Sequence, residues 1–390
     1  MNQPGFVASE ESLHEAARTA TGLDDFGAPS YRRGLRVLLE AYDRESRLTD
    51  AGRAMVEQQL VGILKNRLVT QKFWTDDPGI LKTEIRRPIF ILGLPRTGTT
   101  ALHHLLGQNP ANQVLEYWLA AAPSPRPPRS AWESDPRFQQ SVQELQAMYE
   151  MDPSLKAMHL MTADGPEECR HLLQQTFTDD TFDCNATIPS YSDWYKQHDM
   201  LDAYARHRDL LRLIGSPQPE RRWLLKYPVH MGNLRALFNI YPDACIVQTH
   251  RDPSQVVPSI CSLVAGWRAI YEHDVDRRAV AEWLLDLWAT RLHDGMAVRC
   301  ERNASQFIDL YFRDILADPI GATRRISTQF GIEISEQAEQ KMRAWQAANP
   351  QGKHGEHHYR AEDFGLTDDL IAERFASYLD HFQVGRERSA

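Results

Sequence analysis

The sequence predicts an α/β fold: a three-layer arrangement with a central parallel sheet covered by helices, preceded by an N-terminal helical extension. Three observations carry that expectation. Short apolar runs at residues 88–94, in WLLK, at 244–249 and in SQFIDLYF each lead into a helix-like segment, and alternating strands and helices are the mark of parallel βαβ units. The first of these runs passes directly through a glycine loop into a helix start. The first 85 residues, by contrast, carry apolar residues three and four apart and no strand-like run.

In chain order, residues 1–85 form the helical extension, where YRRGLRVLLEAYDRES and TDAGRAMVEQQLVGILKNRLV are the periodic stretches and Thr49 or Asp50 caps the second. Residues 86–330 form the α/β core. PIFILGL reads as a strand buried on both faces, and ALHHLLGQNP as a helix stopped by Gly107 and Pro110. The proline-rich connector APSPRPPRS, residues 122–130, is expected to be an extended surface loop placed to contribute to a lid. Helices dominate from about 135 to 215. Then come WLLK with the helix MGNLRALFNI, the strand 244–249 with a helix capped by Asp252 and opened by Pro253, and SQFIDLYF with a helix begun near Asp318 and Pro319. Residues 331–390 add a C-terminal helix and a loop to the same domain.

With 390 residues, 42% of them hydrophobic and 25% charged, the chain can bury a large core and is of the globular class. A net charge of -9 excludes a general nucleic-acid binder, which presents a basic face. Five cysteines, Cys169, Cys184, Cys245, Cys261 and Cys300, make an odd number without a C-x-x-C pair. They are expected to be buried thiols of a reducing compartment, which places the protein in the cytoplasm. The acidic N-terminus is unlike a secretory signal, and no apolar run reaches the length of a membrane span.

The loop GLPRTGTT, residues 93–100, departs from a Walker A loop at one position: Gly93, Gly98 and Thr100 match, and Thr99 replaces the lysine. Backbone N–H groups converging at a helix start, with the helix dipole behind them, hold an anion. Without the lysine that reaches the β and γ phosphates, ordinary ATP hydrolysis is not expected. Arg96 stands at the crown instead, able to grip a tetrahedral oxyanion bidentately, with hydroxyls on Thr97, Thr99 and Thr100 beside it. A second anion site is readable in THRDPSQVVPS, where Arg251 ends a strand and Ser259 follows eight residues later on a helix.

The pair GLPRTGTT and HRDPSQVVPS resembles the sulfotransferases that use 3′-phosphoadenosine 5′-phosphosulfate (PAPS). GPEECRHLL, PSYSDWY, LLKYPVH and NPQGKHGEHHYRAEDFGL look like a bacterial branch of that family, and the resemblance runs from about residue 86 to 367. It implies a P-loop-like fold. The first loop, Arg96 to Thr100 with Gly98, would hold the 5′-phosphosulfate, Arg251 and Ser259 the 3′-phosphate, and Lys353, His354 and Gly355 a basic loop closing on the nucleotide. Adenosine 3′,5′-bisphosphate (PAP) would be the product. His354, His357 and His358 could alternatively be read as metal ligands, but no second ligand cluster accompanies them.

Sulfuryl transfer should follow the physics of phosphoryl transfer, an in-line displacement promoted by positioning and electrostatics. Arg96 and Lys226 would receive the charge of the leaving group, so that no metal is required. Two residues compete to take the acceptor's proton: Glu116, flanked by Leu115, Tyr117 and Trp118, and His230 in KYPVH. Glu116 is preferred, because apolar flanks raise a carboxylate's pKa toward a useful base. Methionines in MYEMDPSLKAMHLM and the tryptophans 194, 267, 283 and 288 point to an apolar alcohol or phenol, a small molecule or lipid met at a bilayer surface. Oligomeric state is not legible. A P-loop kinase and a noncatalytic nucleotide-binding protein are the rival classes; retention of both Glu116 and Lys226 argues against the second.

Overall fold

Strand β1 (Ile89–Gly93) is buried along its whole length, as continuous Ile-Phe-Ile-Leu demands of a strand covered on both faces. It is the centre of a five-stranded sheet in the computed structural model, which describes residues 4–151, 153, 156, 160–350 and 360–385. With β2 (Asn112–Val114), β3 (Arg222–Lys226), β4 (Cys245–His250) and β5 (Phe307–Tyr311) the order is β2-β3-β1-β4-β5, and every pairing is parallel.

Alternation along the strands divides the core. Ile89, Ile91, Leu224 and Val247 face α4 (Thr99–Gly107) and the helix Pro319–Phe330, while Phe90, Leu92, Leu225 and Ile246 join the larger core on the other face. That larger core is continuous with the N-terminal helices α1 (Glu10–Thr21), α2 (Tyr31–Glu45) and α3 (Asp50–Asp76). Thr49 caps α3, accepting from the Gly52 N–H at 2.9 Å. Arg67, buried on α3, donates to the carbonyls of Gln175, Phe26 and Ala28 at 2.7, 2.9 and 3.1 Å and so ties the extension to the core. No described helix is long and apolar enough to cross a membrane.

Two expectations need correction. β2 was not foreseen: its Asn112 and Gln113 are polar, and they are buried because Asn112 donates to the Leu106 carbonyl at 2.9 Å and Gln113 to that of Arg221 at 2.9 Å. The proline-rich connector is not a surface loop over its whole length. Ser124 and Arg126 are buried, and no connector residue lines the main cavity.

The topology locates the site. The chain leaves β1 toward the β3–β2 side and leaves β4 toward β5, so the carboxyl ends of β1 and β4 border a switch point, where open parallel sheets place their ligands.

Candidate active site at the carboxyl edge of the sheet

Gly93 closes β1 with φ 139°, and a side chain there would come within 2.5 Å of the Thr249 carbonyl; its absence lets β4 lie close. The loop then turns through left-handed Arg96, φ 65°, and Gly98, φ 89°. For an arginine that conformation costs about 1–2 kcal/mol, which the loop must offset elsewhere. Thr97 does part of this: its hydroxyl donates to the Leu94 carbonyl at 2.6 Å and lies 2.6 Å from the Thr249 hydroxyl. Thr97 is therefore a brace of the loop, and its hydroxyl is not presented to a ligand, contrary to expectation. The first intrahelical bond of α4 runs from the Leu102 N–H to the Gly98 carbonyl at 3.2 Å. The N–H groups of Thr99, Thr100 and Ala101 precede it and are the donors a helix start offers to an anion.

Arg96 of the loop itself, Arg251 and Lys226 share one cavity wall with this helix start. Arg251 directly follows β4; its Nη1 donates to the Arg96 carbonyl at 3.2 Å, and its guanidinium lies 4.1 Å from the centre of the Phe312 ring. The registers Ile91↔Lys226 and Gly93↔Thr249 bring the ends of β3 and β4 level with the loop. Lys226, 3% exposed, reaches the Glu168 Oε1 at 2.6 Å and the Thr100 hydroxyl at 3.4 Å. Glu168 escaped the sequence reading. It lies in GPEECRHLL, outside any strand or helix, and the only sign of it there is a doubled acid.

A cavity of about 980 Å³ joins these groups. Arg96, Thr99, Thr100, Lys226, Glu168 and Arg251 form one part of its wall; Met148, Met161, Val264, Trp267, Leu284 and Trp288 form another. Of the tryptophans singled out from sequence, 267, 283 and 288 line it, whereas Trp194 stacks on His198.

Both expected bases lie elsewhere. Glu116 is buried with its Oε2 2.8 Å from Arg126 Nη2 and is not part of the wall. Burial raises its pKa and Arg126 opposes the rise; the direction anticipated is right, but the carboxylate faces an arginine rather than an acceptor. His230 is fully buried, its Nδ1 2.6 Å from the Tyr204 hydroxyl and its ring edge-on to Phe90. Burial drives its pKa well below the usual imidazole value, and it too is absent from the wall. Ser259 is buried on the helix Pro253–Tyr271, also outside the wall. Lys353, His354 and Gly355 lie outside the described residues.

A P-loop-like α/β sheet with a helix start that offers free N–H groups, a cluster of cations at its switch point and a lysine–carboxylate pair in the wall of one cavity is the frame of a group-transfer enzyme with an anionic donor. The chain belongs to the sulfotransferase family, whose model matches residues 88–336, and it is a sulfotransferase. It is similar to the omega-hydroxy-beta-dihydromenaquinone-9 sulfotransferase Stf3 of Mycobacterium bovis, with 25% identity over 326 residues, 77% of this chain and 76% of that protein. Among solved structures it is similar to sulfotransferase STF1 of Mycobacterium tuberculosis H37Rv, with 39% identity, coverage of 96% and 100% of the two chains and a TM-score of 0.88. Sulfotransferase STF9 of Mycobacterium avium superposes with a TM-score of 0.90 at 27% identity, covering 97% and 98%.

Proposed function

We propose that the protein transfers a sulfuryl group from PAPS to the hydroxyl of an apolar, lipid-like alcohol. One observation carries the reading: Arg251 touches the backbone of Arg96 within the same cavity wall that holds the Lys226–Glu168 pair. A donor charged at both ends fits there. The α4 N–H groups, Arg96 and the hydroxyls of Thr99 and Thr100 face one anion, and Arg251 stands beside them for the other. When bound, PAPS supplies the activated sulfuryl group and a leaving phosphate.

The chain's own residues do the rest. Lys226 turns from Glu168 toward the breaking bond and offsets the charge gathering on the leaving oxygen. Glu168, released from that pair, accepts the acceptor's hydroxyl proton as the new O–S bond forms and the bond to the leaving phosphate breaks. The apolar wall holds the acceptor and excludes water, strengthening both interactions. At about 980 Å³ the cavity lies at the upper end of ordinary ligand sites, about 300–1,000 Å³, and so has room for two substrates.

Support for a lipid-like acceptor comes from the methionine and tryptophan wall and from the hydroxylated menaquinone derivative named for the similar Stf3. Leu316 on the cavity wall is 51% exposed, and Met151, three residues beyond the lining Met148, is 79% exposed; these side chains would meet a bilayer surface from which such an acceptor is drawn. The five free thiols suit a reducing cytoplasm.

The test is thermal. Saturating PAP should raise the melting temperature, by an amount equivalent to about 2.7 kcal/mol at a hundredfold excess over Kd, and ATP with Mg²⁺ should not. Labelled sulfate should then pass from PAPS to a long-chain primary alcohol. Stabilisation by ATP with Mg²⁺ and none by PAP would overturn the assignment.

A further inference from the structure

Behind Lys226 and Glu168, the same two segments carry side chains that sulfuryl transfer does not use. Cys169 follows Glu168, and its backbone N–H donates to the Lys226 carbonyl at 3.2 Å. His230 stands in the turn after Lys226, and His207 comes from the helix Leu201–Gly215. All three are fully buried. One donor atom from each, the Cys169 sulfur and a nitrogen of either ring, lie within 4.8 Å of one another.

Hydrogen bonding identifies the free nitrogens. His230 Nδ1 is 2.6 Å from the Tyr204 hydroxyl and His207 Nδ1 is 2.8 Å from the Tyr241 hydroxyl, while Nε2 of both rings has no hydrogen-bond partner. In the tautomer in which each Nδ1–H donates to its phenol oxygen, each Nε2 carries a lone pair. Leaving two such groups unsatisfied in a core is destabilising unless a ligand takes up their lone pairs. Partners on the far nitrogen are also what fixes the tautomer and orientation of a ligating histidine.

We propose that Cys169, His207 and His230 form a closed three-ligand site for a thiophilic d¹⁰ cation, Cu(I) ahead of Zn(II). Donors about 2.0–2.3 Å from a common centre in a trigonal plane stand about 3.5–4 Å apart, and one ligand atom from each of the three residues already lies within 4.8 Å of the others. A thiolate and two neutral imidazoles carry one negative charge. Cu(I) brings that to zero, which suits a pocket where Phe90 packs edge-on against His230 at 5.0 Å. Zn(II) would leave a net positive charge in the core and call for a fourth ligand. Binding releases the Cys169 proton and needs no oxidation or reduction. The cation would clamp together the segment bearing Glu168, the turn after Lys226 and the helix bearing His207, so its role is to hold the platform of the active site.

Metal-free full-length protein, titrated anaerobically with Cu(I) against a colorimetric Cu(I) chelator, should take up one equivalent and melt at a higher temperature. X-ray absorption of that species should give one sulfur and two nitrogen neighbours. Cys169→Ser and His230→Gln should weaken binding at least about a hundredfold, Tyr204→Phe about tenfold, and Cys300→Ser, which alters an exposed thiol, not at all. Should the cysteine or histidine variants fail to fold, the absorption spectrum and the Cys300→Ser titration still decide. Failure to bind either Cu(I) or Zn(II) stoichiometrically would overturn the proposal, as would binding abolished by Cys300→Ser. An equivalent of Zn(II) with no Cu(I) would overturn the charge argument.

Discussion

Two carboxylate–cation pairs flank the carboxyl edge of the sheet, one half-buried at the cavity and one buried, and they differ in what lies on their open side. Glu168 meets Lys226 at 2.6 Å and Glu116 meets Arg126 at 2.8 Å. The first pair forms part of the cavity wall, beside Thr100 and within reach of any bound anion. The second is walled in: Arg126 also donates to the Gln113 side chain at 2.8 Å and to the Val114 carbonyl, so it pins the proline-rich connector to β2. A lysine with one carboxylate and one hydroxyl partner can change partners when a ligand arrives. An arginine whose two Nη atoms are held by three acceptors is structural. The two acids are of one chemical type, but the apolar flanks belong to Glu116 and not to Glu168, which sits between Glu167 and Cys169; position relative to the wall is what separates the proposed base from the brace.

The comparison breaks first at Glu168. Glu168→Gln should lower kcat by about a hundred- to ten-thousandfold, while the stabilisation of the protein by PAP stays within about twofold of wild type in apparent Kd; unchanged turnover in this variant would leave the wall pair with no catalytic part. Next in size is Arg251, the cation proposed to hold the far end of the donor. Removing its charge-assisted contacts, about 1.5–3 kcal/mol, should raise the KM for PAPS by about ten- to a hundredfold in Arg251→Ala with kcat little altered. A fall in kcat at saturating PAPS would place Arg251 at the reacting bond instead.

Glu116→Gln sharpens the contrast from the other side. It should keep wild-type kcat and lose stability, by about 1–3 kcal/mol in chemical denaturation, because Arg126 remains buried with a poorer acceptor. A large loss of turnover in a folded Glu116→Gln protein would restore Glu116 as the base and demand a movement that opens it to the cavity.

The framework of this site was legible where function sits on strand ends. β1, β3 and β4 are interior strands whose runs Ile-Phe-Ile-Leu, Trp-Leu-Leu and Cys-Ile-Val are apolar, so the cations at or just beyond their carboxyl ends, Lys226, Arg251 and Arg96, stand out in the sequence. β2 was hidden because an edge strand of three residues can be polar when tertiary contacts satisfy it, as those of Asn112 and Gln113 do. Glu168 was hidden for a related reason. It belongs to irregular backbone, and its meeting with Lys226 joins residues 58 apart in sequence. Local apolar flanks were the one cue sequence offers for a perturbed acid; they located burial at Glu116 correctly and said nothing about which surface that acid faces.

The last test concerns stability rather than turnover, at a buried acid that leans on a hydroxyl. Asp183 is 2% exposed, and its Oδ1 accepts from the Ser192 hydroxyl at 2.5 Å. Burial pushes its pKa up to about 8, with the Ser192 bond and the Arg268 charge opposing. The folded state therefore binds this proton more tightly than the unfolded chain, where an aspartate titrates near 3.9. Its contribution to stability is fully present below about pH 4 and is lost progressively as pH rises toward 8. Asp183→Asn keeps the neutral shape of the protonated acid and has no proton to lose. The variant should accordingly melt near wild type at pH 5 and fall less steeply between pH 5 and 8. Glu116, raised by burial in the same direction but held beside Arg126, should contribute a shallower slope over the acid side of that range. If the pH dependence of melting is identical in Asp183→Asn and wild type, then Asp183 is ionised in the folded protein, and a nearby cation, Arg268 being the first to examine, balances it as Arg126 balances Glu116.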